Sequence, residues 1–162
     1  MEDQFRDFIK VLEAFDKQKV GYILIGGVAM VLHGMERLTR DIDIFVKMEP
    51  ENIKRLRKAL YLVFKDTSIE EITFDEFHKY PVIRYGTPNG FYIDVMAHIG
   101  EMFTYEDLEY EIIDYQGIKI KIATPETLYK LKKDTIRDRD KIDAIFLKEL
   151  IKTKKSNQSG KK

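Results

Sequence analysis

The chain has 162 residues, a length typical of one domain with a substantial hydrophobic core. Its composition, 44% hydrophobic and 35% charged, is that of a globular protein and argues against intrinsic disorder. Lysine plus arginine and aspartate plus glutamate both number 28, so a net charge of zero argues against a broad basic surface for duplex nucleic acid. Cysteine is absent and no apolar run is long enough to span a bilayer, so we expect a cytoplasmic protein without membrane association.

The first part of the chain alternates helices and strands. Apolar residues recur at helical spacing over residues 3–17, and the apolar run 22–25 predicts a buried strand that ends at two glycines. A short helix is predicted over 28–32, a strand over 41–46, and a further helix from Pro50, since proline is favoured in the first helical turn.

The second part of the chain is rich in predicted strands. We expect them over residues 69–74, 81–85, 91–96, 109–115 and 118–122. The dipeptide Asn89-Gly90 predicts a hairpin between two of them, because these residues tolerate the positive φ angles of a tight turn. Thr124-Pro125 is a helix start signal, and helical spacing continues with a break to about residue 151.

This element order predicts one α/β domain, of the α+β type, over residues 1–152. Its mixed sheet should be flanked by helices, two of them at the C-terminal end. Residues 153–162 are basic and polar and are predicted to form a frayed tail.

Two aspartates carry the strongest chemical signal. Asp41 and Asp43 lie two apart on a predicted strand, so their side chains project from the same face while Ile42 and Ile44 face a core. Two neighbouring carboxylates repel each other unless a cation lies between them. A set of oxygen ligands without cysteine or histidine favours Mg²⁺ or Mn²⁺ over Zn²⁺. The alternative is a pair of solvated acids on an exposed strand.

Three further features favour the metal interpretation. Gly26-Gly27 stands where a strand passes into a helix, so the backbone can approach a phosphate. Asp94 places a third acid in another strand, although aspartate is disfavoured there. Between the glycines and the acids, Arg37 and Thr39 belong to a segment that can donate hydrogen bonds to phosphate oxygens.

The combined pattern resembles a known signature. The residues Ile25-Gly26-Gly27, followed after thirteen residues by Asp41-Ile42-Asp43-Ile44, are similar to the motif of the polymerase-beta-like nucleotidyltransferase superfamily. With His33-Gly34 and Arg37-Leu38-Thr39-Arg40 added, the string resembles the branch of abortive-infection nucleotidyltransferase toxins, from type IV toxin–antitoxin systems, and their relatives. The serine that usually follows the first glycine is Gly27 here, so a hydroxyl that could contact phosphate is missing.

The resemblance implies a nucleotidyltransferase fold and an enzyme that moves an NMP from an NTP to a hydroxyl acceptor, with release of pyrophosphate. The acceptor could be RNA, a protein or a small molecule, the cofactor would be Mg²⁺ or Mn²⁺, and an antitoxin-type protein partner is expected. The resemblance makes Asp41, Asp43 and Asp94 the catalytic and metal-binding residues. The implied nucleotide-binding residues are Gly26, Gly27, Arg37, Thr39 and Lys132.

Lys132 lies close to the apolar stripe of its predicted helix, where a surface lysine is unusual. It either extends past the core to water or points inward to the carboxylates or a triphosphate, and the resemblance favours the second interpretation. The matching family string continues through Arg137, Arg139, Asp140 and Asp143. We interpret the last two as ordinary acids of a charge-rich helix.

Two other functions are compatible with the same residues. The fold could serve as a non-catalytic module that binds a nucleotide or a protein partner. An Asp-x-Asp pair also occurs in haloacid-dehalogenase phosphatases and in metal-dependent glycosyltransferases. The phosphatase motif places its acids at the end of an apolar strand, whereas here Leu38-Thr39-Arg40 precedes the acids and the apolar residues follow.

Overall fold

The protein is built around a mixed β-sheet. The computed structural model describes residues 2–99, 103–132 and 138–159. Within them, six strands form one sheet in the order β3-β4-β2-β1-β8-β7, and β5 and β6 form a separate pair. The strands are β1 Tyr22–Ile25, β2 Ile42–Val46, β3 Val82–Gly86, β4 Tyr92–Met96, β5 His98–Ile99, β6 Phe103–Thr104, β7 Tyr110–Tyr115 and β8 Ile118–Ala123. The mixed α/β architecture predicted from the sequence is confirmed.

The helices pack around the sheet, and two of them follow its last strand at the C-terminal end of the chain. They are α1 Glu2–Lys17, α2 Gly26–Leu32, α3 Pro50–Phe64, α4 Phe74–Lys79, α5 Pro125–Lys132 and α6 Asp138–Ser159. Helix α1 packs on α3 and on β8, and its buried stripe of Phe8, Leu12 and Phe15 follows the helical period. Helices α5 and α6 pack against each other, so the two predicted C-terminal helices are confirmed.

The pairing of β2 with β4 decides which side chains share a face. The two strands are parallel, with Ile42 opposite Ile93, Asp43 opposite Asp94 and Ile44 opposite Val95. Because side chains alternate across a strand, the three isoleucines and the valine turn into the core and are fully buried. The two aspartates therefore lie side by side on the other face.

Two predictions about secondary structure are wrong. The segment 69–74 was expected to be a strand, but it contains the end of a 3-10 helix, Thr67–Glu71, and the start of α4. Asp66 caps the first of these by accepting a hydrogen bond from Ser68 N, and Thr73 caps the second by accepting one from Glu76 N. The capping interactions outweigh the apolar content of the segment.

The C-terminal boundary also differs from the prediction. The helix α6 continues to Ser159, so most of the segment expected to be a frayed tail is helical. In its C-terminal half Lys148, Lys152 and Lys155 are exposed, whereas Lys154 is half-buried and pairs with Glu126 of α5. No helix within the described residues is both long and apolar enough to cross a membrane.

Candidate active site

The three predicted acids meet at one edge of the β2–β4 pair. Asp43 and Asp94 are register partners and share a side-chain hydrogen bond. Asp41 precedes β2 by one residue, and its Oδ1 accepts a hydrogen bond of 3.2 Å from the backbone N–H of Tyr92 at the start of β4. The parallel pairing of the two strands thus brings together carboxylates that are more than fifty residues apart in sequence.

Asp43 lies in an environment that disfavours its charged form. Burial first, and then the neighbouring carboxylates of Asp94 and Asp41, raise the pKa of Asp43 to about 7, while Lys132 opposes the shift. Since two adjacent carboxylates cannot both ionise cheaply, the pair holds a proton near neutral pH when no cation lies between them.

The raised pKa predicts a pH-dependent stability. An acid whose pKa is higher in the folded state stabilises the fold below its unfolded pKa, here 3.8, and that contribution is lost as the pH rises through about 7. In chelator, we expect Asp43→Asn to raise the thermal unfolding temperature by several degrees at about pH 8 and much less at about pH 5. Differential scanning calorimetry measures both. An equal shift at the two pH values would show that ionisation of Asp43 is not the cause.

Gly26 lies directly beneath this carboxylate. A Cβ at this position would collide with Oδ2 of Asp43 and lie only 2.9 Å from its Cβ, and the backbone φ of +72° also favours glycine. A Cβ at Gly27 would lie 2.6 Å from Oγ1 of Thr39. The positive φ and the contact with Asp43 thus favour glycine at position 26, and a side chain at position 27 would displace the Thr39 side chain.

Lys132 points inward, as predicted, but it contacts a second group of acids. Its Nζ lies 2.8 Å from Asp143 Oδ2 and 3.2 Å from Asp140 Oδ1, and its side chain is only 11% exposed. Arg37 Nη1 also binds Asp143 Oδ2, at 2.5 Å. We call Arg37, Lys132, Asp140 and Asp143 the buried charge cluster.

This cluster corrects the interpretation of the two α6 acids. Asp140 and Asp143 are 2% and 1% exposed, so they are not ordinary acids of a solvated helix. A buried carboxylate requires a cation and hydrogen bonds, and two basic residues from other elements supply both. Arg137 of the matching family string lies outside the described residues, as does the side chain of Arg139.

Arg84 is the site residue that the sequence analysis missed. In β3 it stands opposite Asp94, and its Nε and Nη2 donate to the two oxygens of that carboxylate at 2.9 and 3.2 Å. Its Nη2 also lies 3.8 Å from Asp41 Oδ2. The sequence predicted the hairpin but not its register, because a two-residue turn at Asn89-Gly90 would place Arg84 opposite position 95, whereas the observed loop of residues 87–91 places it opposite Asp94.

All eight predicted site residues line one cavity of about 670 Å³, a volume sufficient for a nucleotide. The missed residue Arg84 also lines it, as do apolar side chains from α5 and β4. Its lining consists of Ile25, Gly26, Gly27, Arg37, Leu38, Thr39, Arg40, Asp41, Asp43, Arg84, Asp94, Met96, Ile99, Leu128, Leu131, Lys132 and Asp140.

The donor set in this cavity suits a hard divalent cation. Three carboxylates line it, burial and the neighbouring acids raise the pKa of Asp43, and the Arg84 guanidinium pairs with Asp94 and approaches Asp41. As the side chains stand, the described residues include no group of three or more acidic, histidine or cysteine side chains arranged around one ion position. Closing the carboxylates around a cation therefore requires rotation of side chains now turned to Arg84.

The fold has known relatives among nucleotidyltransferases. A lincosamide antibiotic adenylyltransferase with lincomycin bound matches with a TM-score of 0.57 and 17% identity, over 88% of this chain and 95% of that one. An antigenic nucleotidyltransferase-like protein from Paracoccidioides brasiliensis matches with 0.55 and 18%, over 91% and 77%. A nucleotidyltransferase structure from Thermotoga maritima matches with 0.50 and 15%, over 97% and 95%. At these identities the likeness defines the nucleotidyltransferase fold alone.

A family model gives the more particular assignment. The model described as "Nucleotidyl transferase AbiEii toxin, Type IV TA system" matches residues 10–152, which is most of the chain. The chain belongs to this AbiEii family of nucleotidyltransferases. No curated protein matches at a significant level. The predicted superfamily, branch and enzyme class are thereby confirmed.

Proposed function

We propose that this protein transfers an NMP from an NTP to a hydroxyl acceptor in a metal-dependent reaction that releases pyrophosphate. The observation that carries the proposal is the meeting of Asp41, Asp43 and Asp94 in the cavity that Lys132 also lines. Family membership supports nucleotidyl transfer, and the geometry supports the metal dependence.

The carboxylates would hold Mg²⁺ or Mn²⁺. Asp43 packs on Gly26 and so would face the triphosphate side of the cavity, while Asp41, just before β2, lies between it and the β4 side. Asp94 lies beside the exposed edge strand β3 and would complete the acceptor side. A bound divalent cation supplies positive charge to the triphosphate and lowers the pKa of an acceptor hydroxyl.

The triphosphate would lie along the glycine turn. Gly26 and Gly27 line the cavity, and the backbone N–H groups of this turn would bind phosphate oxygens. The ammonium of Lys132 supplies a fixed positive charge, oriented by Asp140 and Asp143 before the substrate arrives. Such pre-orientation avoids the entropic cost of ordering a free lysine at the moment of reaction.

Arg37 and Thr39 line the cavity beside the glycine turn. The Arg37 side chain is ion-paired with Asp143 and can offer its remaining N–H groups to phosphate oxygens. The Thr39 hydroxyl donates to the Asp41 carbonyl at 3.1 Å, which fixes the loop that leads into the carboxylates. Thr39 would act mainly by positioning Asp41.

In the transfer step, the acceptor oxygen forms a bond to the α-phosphorus while the bond from that phosphorus to the bridging oxygen of the β-phosphate breaks. Pyrophosphate leaves with the electron pair of that bond. Asp94 accepts the proton of the acceptor hydroxyl, and Lys132 stabilises negative charge on the phosphates.

The acceptor class comprises RNA, protein hydroxyls and small molecules. One neighbour in fold is an adenylyltransferase with the antibiotic lincomycin bound, which supports the inclusion of small molecules. The family description names a type IV toxin–antitoxin system, which supports the role of a toxin component with an antitoxin-type partner. The absence of cysteine supports action in the cytoplasm.

Incubation with each α-labelled NTP, Mg²⁺ and total cell extract tests the proposal. We expect label to appear in one polymer or metabolite together with stoichiometric pyrophosphate, and chelator to prevent both. Calorimetry with the same nucleotides is run in parallel. Binding of NTP without label transfer or pyrophosphate would instead identify a non-catalytic nucleotide-binding module.

A further inference from the structure

Arg84 is the residue whose contacts the proposed reaction does not use. It lies on the edge strand β3, where its guanidinium makes a two-point ion pair with Asp94 and approaches Asp41. Two of the three proposed metal ligands are therefore already within ion-pair distance of a cation of the protein itself. The third, Asp43, has no comparable ion pair with any described residue and shares a hydrogen bond with Asp94.

A guanidinium and a divalent ion cannot both bind the Asp94 carboxylate with full affinity. The positive charge of Arg84 repels a second cation a few ångströms away, and its N–H groups occupy lone pairs of Asp94 that a metal would need. Binding of the ion therefore requires that the Arg84–Asp94 pair opens or weakens.

The surroundings of Arg84 permit such a movement. The Arg84 side chain is 55% exposed, compared with 14% for Asp94, so the arginine can leave without opening the core. Its Cζ already lies 4.5 Å from the ring centroid of Tyr92, whose face offers a cation–π contact when the carboxylate is lost. Tyr92 is itself 45% exposed, at the rim of the site.

We propose that Arg84 competes with the divalent cation for Asp94 and Asp41, and that the Arg84–Asp94 pair opens when the ion binds, which leaves the guanidinium on the Tyr92 ring that it already contacts. Arg84 is thus a positioning residue, which limits the binding of adventitious cations to these carboxylates in the substrate-free protein. This inference rests on the metal dependence of the proposed function.

Titration of nucleotide-free protein with Mn²⁺ at about pH 8, with free Mn²⁺ followed by electron paramagnetic resonance, tests this competition. We expect Arg84→Gln to bind Mn²⁺ about tenfold more tightly than the unmodified protein, and Arg84→Lys to lie between them, because lysine keeps the charge but not the two-point geometry. Arg55→Gln, on the exposed face of α3, removes the same charge elsewhere and should change affinity less than about twofold. Circular dichroism verifies that each variant is folded.

The possible outcomes distinguish a failure of this inference from a failure of the proposed function. Equal or weaker Mn²⁺ binding by Arg84→Gln, with clear binding by the unmodified protein, overturns the competition and leaves the proposed function intact. A tenfold gain shared by Arg55→Gln also overturns it, since the effect would then be one of net charge. If neither the unmodified protein nor any variant binds Mn²⁺, both the competition and the metal dependence of the proposed function are overturned.

Discussion

Asp43→Asn is expected to reduce the rate of nucleotidyl transfer by roughly a thousandfold, the loss that follows when a central carboxylate ligand no longer holds the reacting metal. The asparagine is nearly isosteric, so the contact with Gly26 and the pairing of β2 with β4 should persist. Because the substitution also removes a buried acid with a raised pKa, the loss of activity should come without a loss of stability. Pyrophosphate release under single-turnover conditions is the measurement.

The control for Asp43→Asn is Asp75→Asn. Asp75 is an exposed acid in the first turn of α4, and its substitution changes the net charge equally. We expect it to keep full activity. Normal transfer by Asp43→Asn would show that neither this residue nor the carboxylate cluster takes part in the reaction.

Asp143→Asn is expected to lower the free energy of unfolding by about 3 kcal/mol, because it leaves two partly buried cations short of a counter-charge. Lys132 would retain Asp140, whereas Arg37 would lose the anion that holds its side chain in the cavity wall. Affinity for NTP should fall along with stability, since both basic residues line the cavity. Urea denaturation and isothermal calorimetry measure the two effects.

Glu149→Gln is the matched control on the same helix. Glu149 is 69% exposed and forms an i,i+3 ion pair with Lys152, a type of contact that contributes about 0–1 kcal/mol. If Asp143→Asn proved as mild as this control, the buried charge cluster would be a minor contributor to both the fold and the site.

Local signals in the sequence were sufficient for the core of the site. The two-residue period of a strand places Asp41 and Asp43 on one face, and the hairpin turn at Gly90, with its φ of +91°, forms as expected. The meeting with Asp94 depends on the order of strands in the sheet. That order cannot be derived from periodicity, so the resemblance to a family supplied it.

The α6 acids show why the remainder was missed. In an ordinary amphipathic helix the isoleucines would face the core and the acids the solvent. Here Ile142 and Ile145 are 58% and 67% exposed, while Asp140 and Asp143 lie on the buried face with Leu147. This reversed arrangement depends on the cations of Arg37, from a distant segment, and of Lys132, from the preceding helix. The i, i+3, i+7 spacing of the two acids with Leu147 was the only signal within the helix itself.

The wrongly predicted strand has a similar explanation. Residues 69–74 contain apolar side chains at spacings compatible with a strand, but Thr73, followed three residues later by Glu76, forms the N-cap of a helix instead. Ile69 and Ile72 are buried all the same, so the apolar pattern reported burial correctly and the type of element incorrectly.

A crystal structure with Mn²⁺ and a non-hydrolysable NTP analogue, read by anomalous scattering, is the most direct test of the carboxylate site. The predicted result is manganese bound by oxygens of Asp41 and Asp43, with Asp94 turned from Arg84 toward the metal and the triphosphate beside Gly26 and Lys132. Manganese bound elsewhere, with Arg84 still paired to Asp94 beneath an ordered triphosphate, would contradict it.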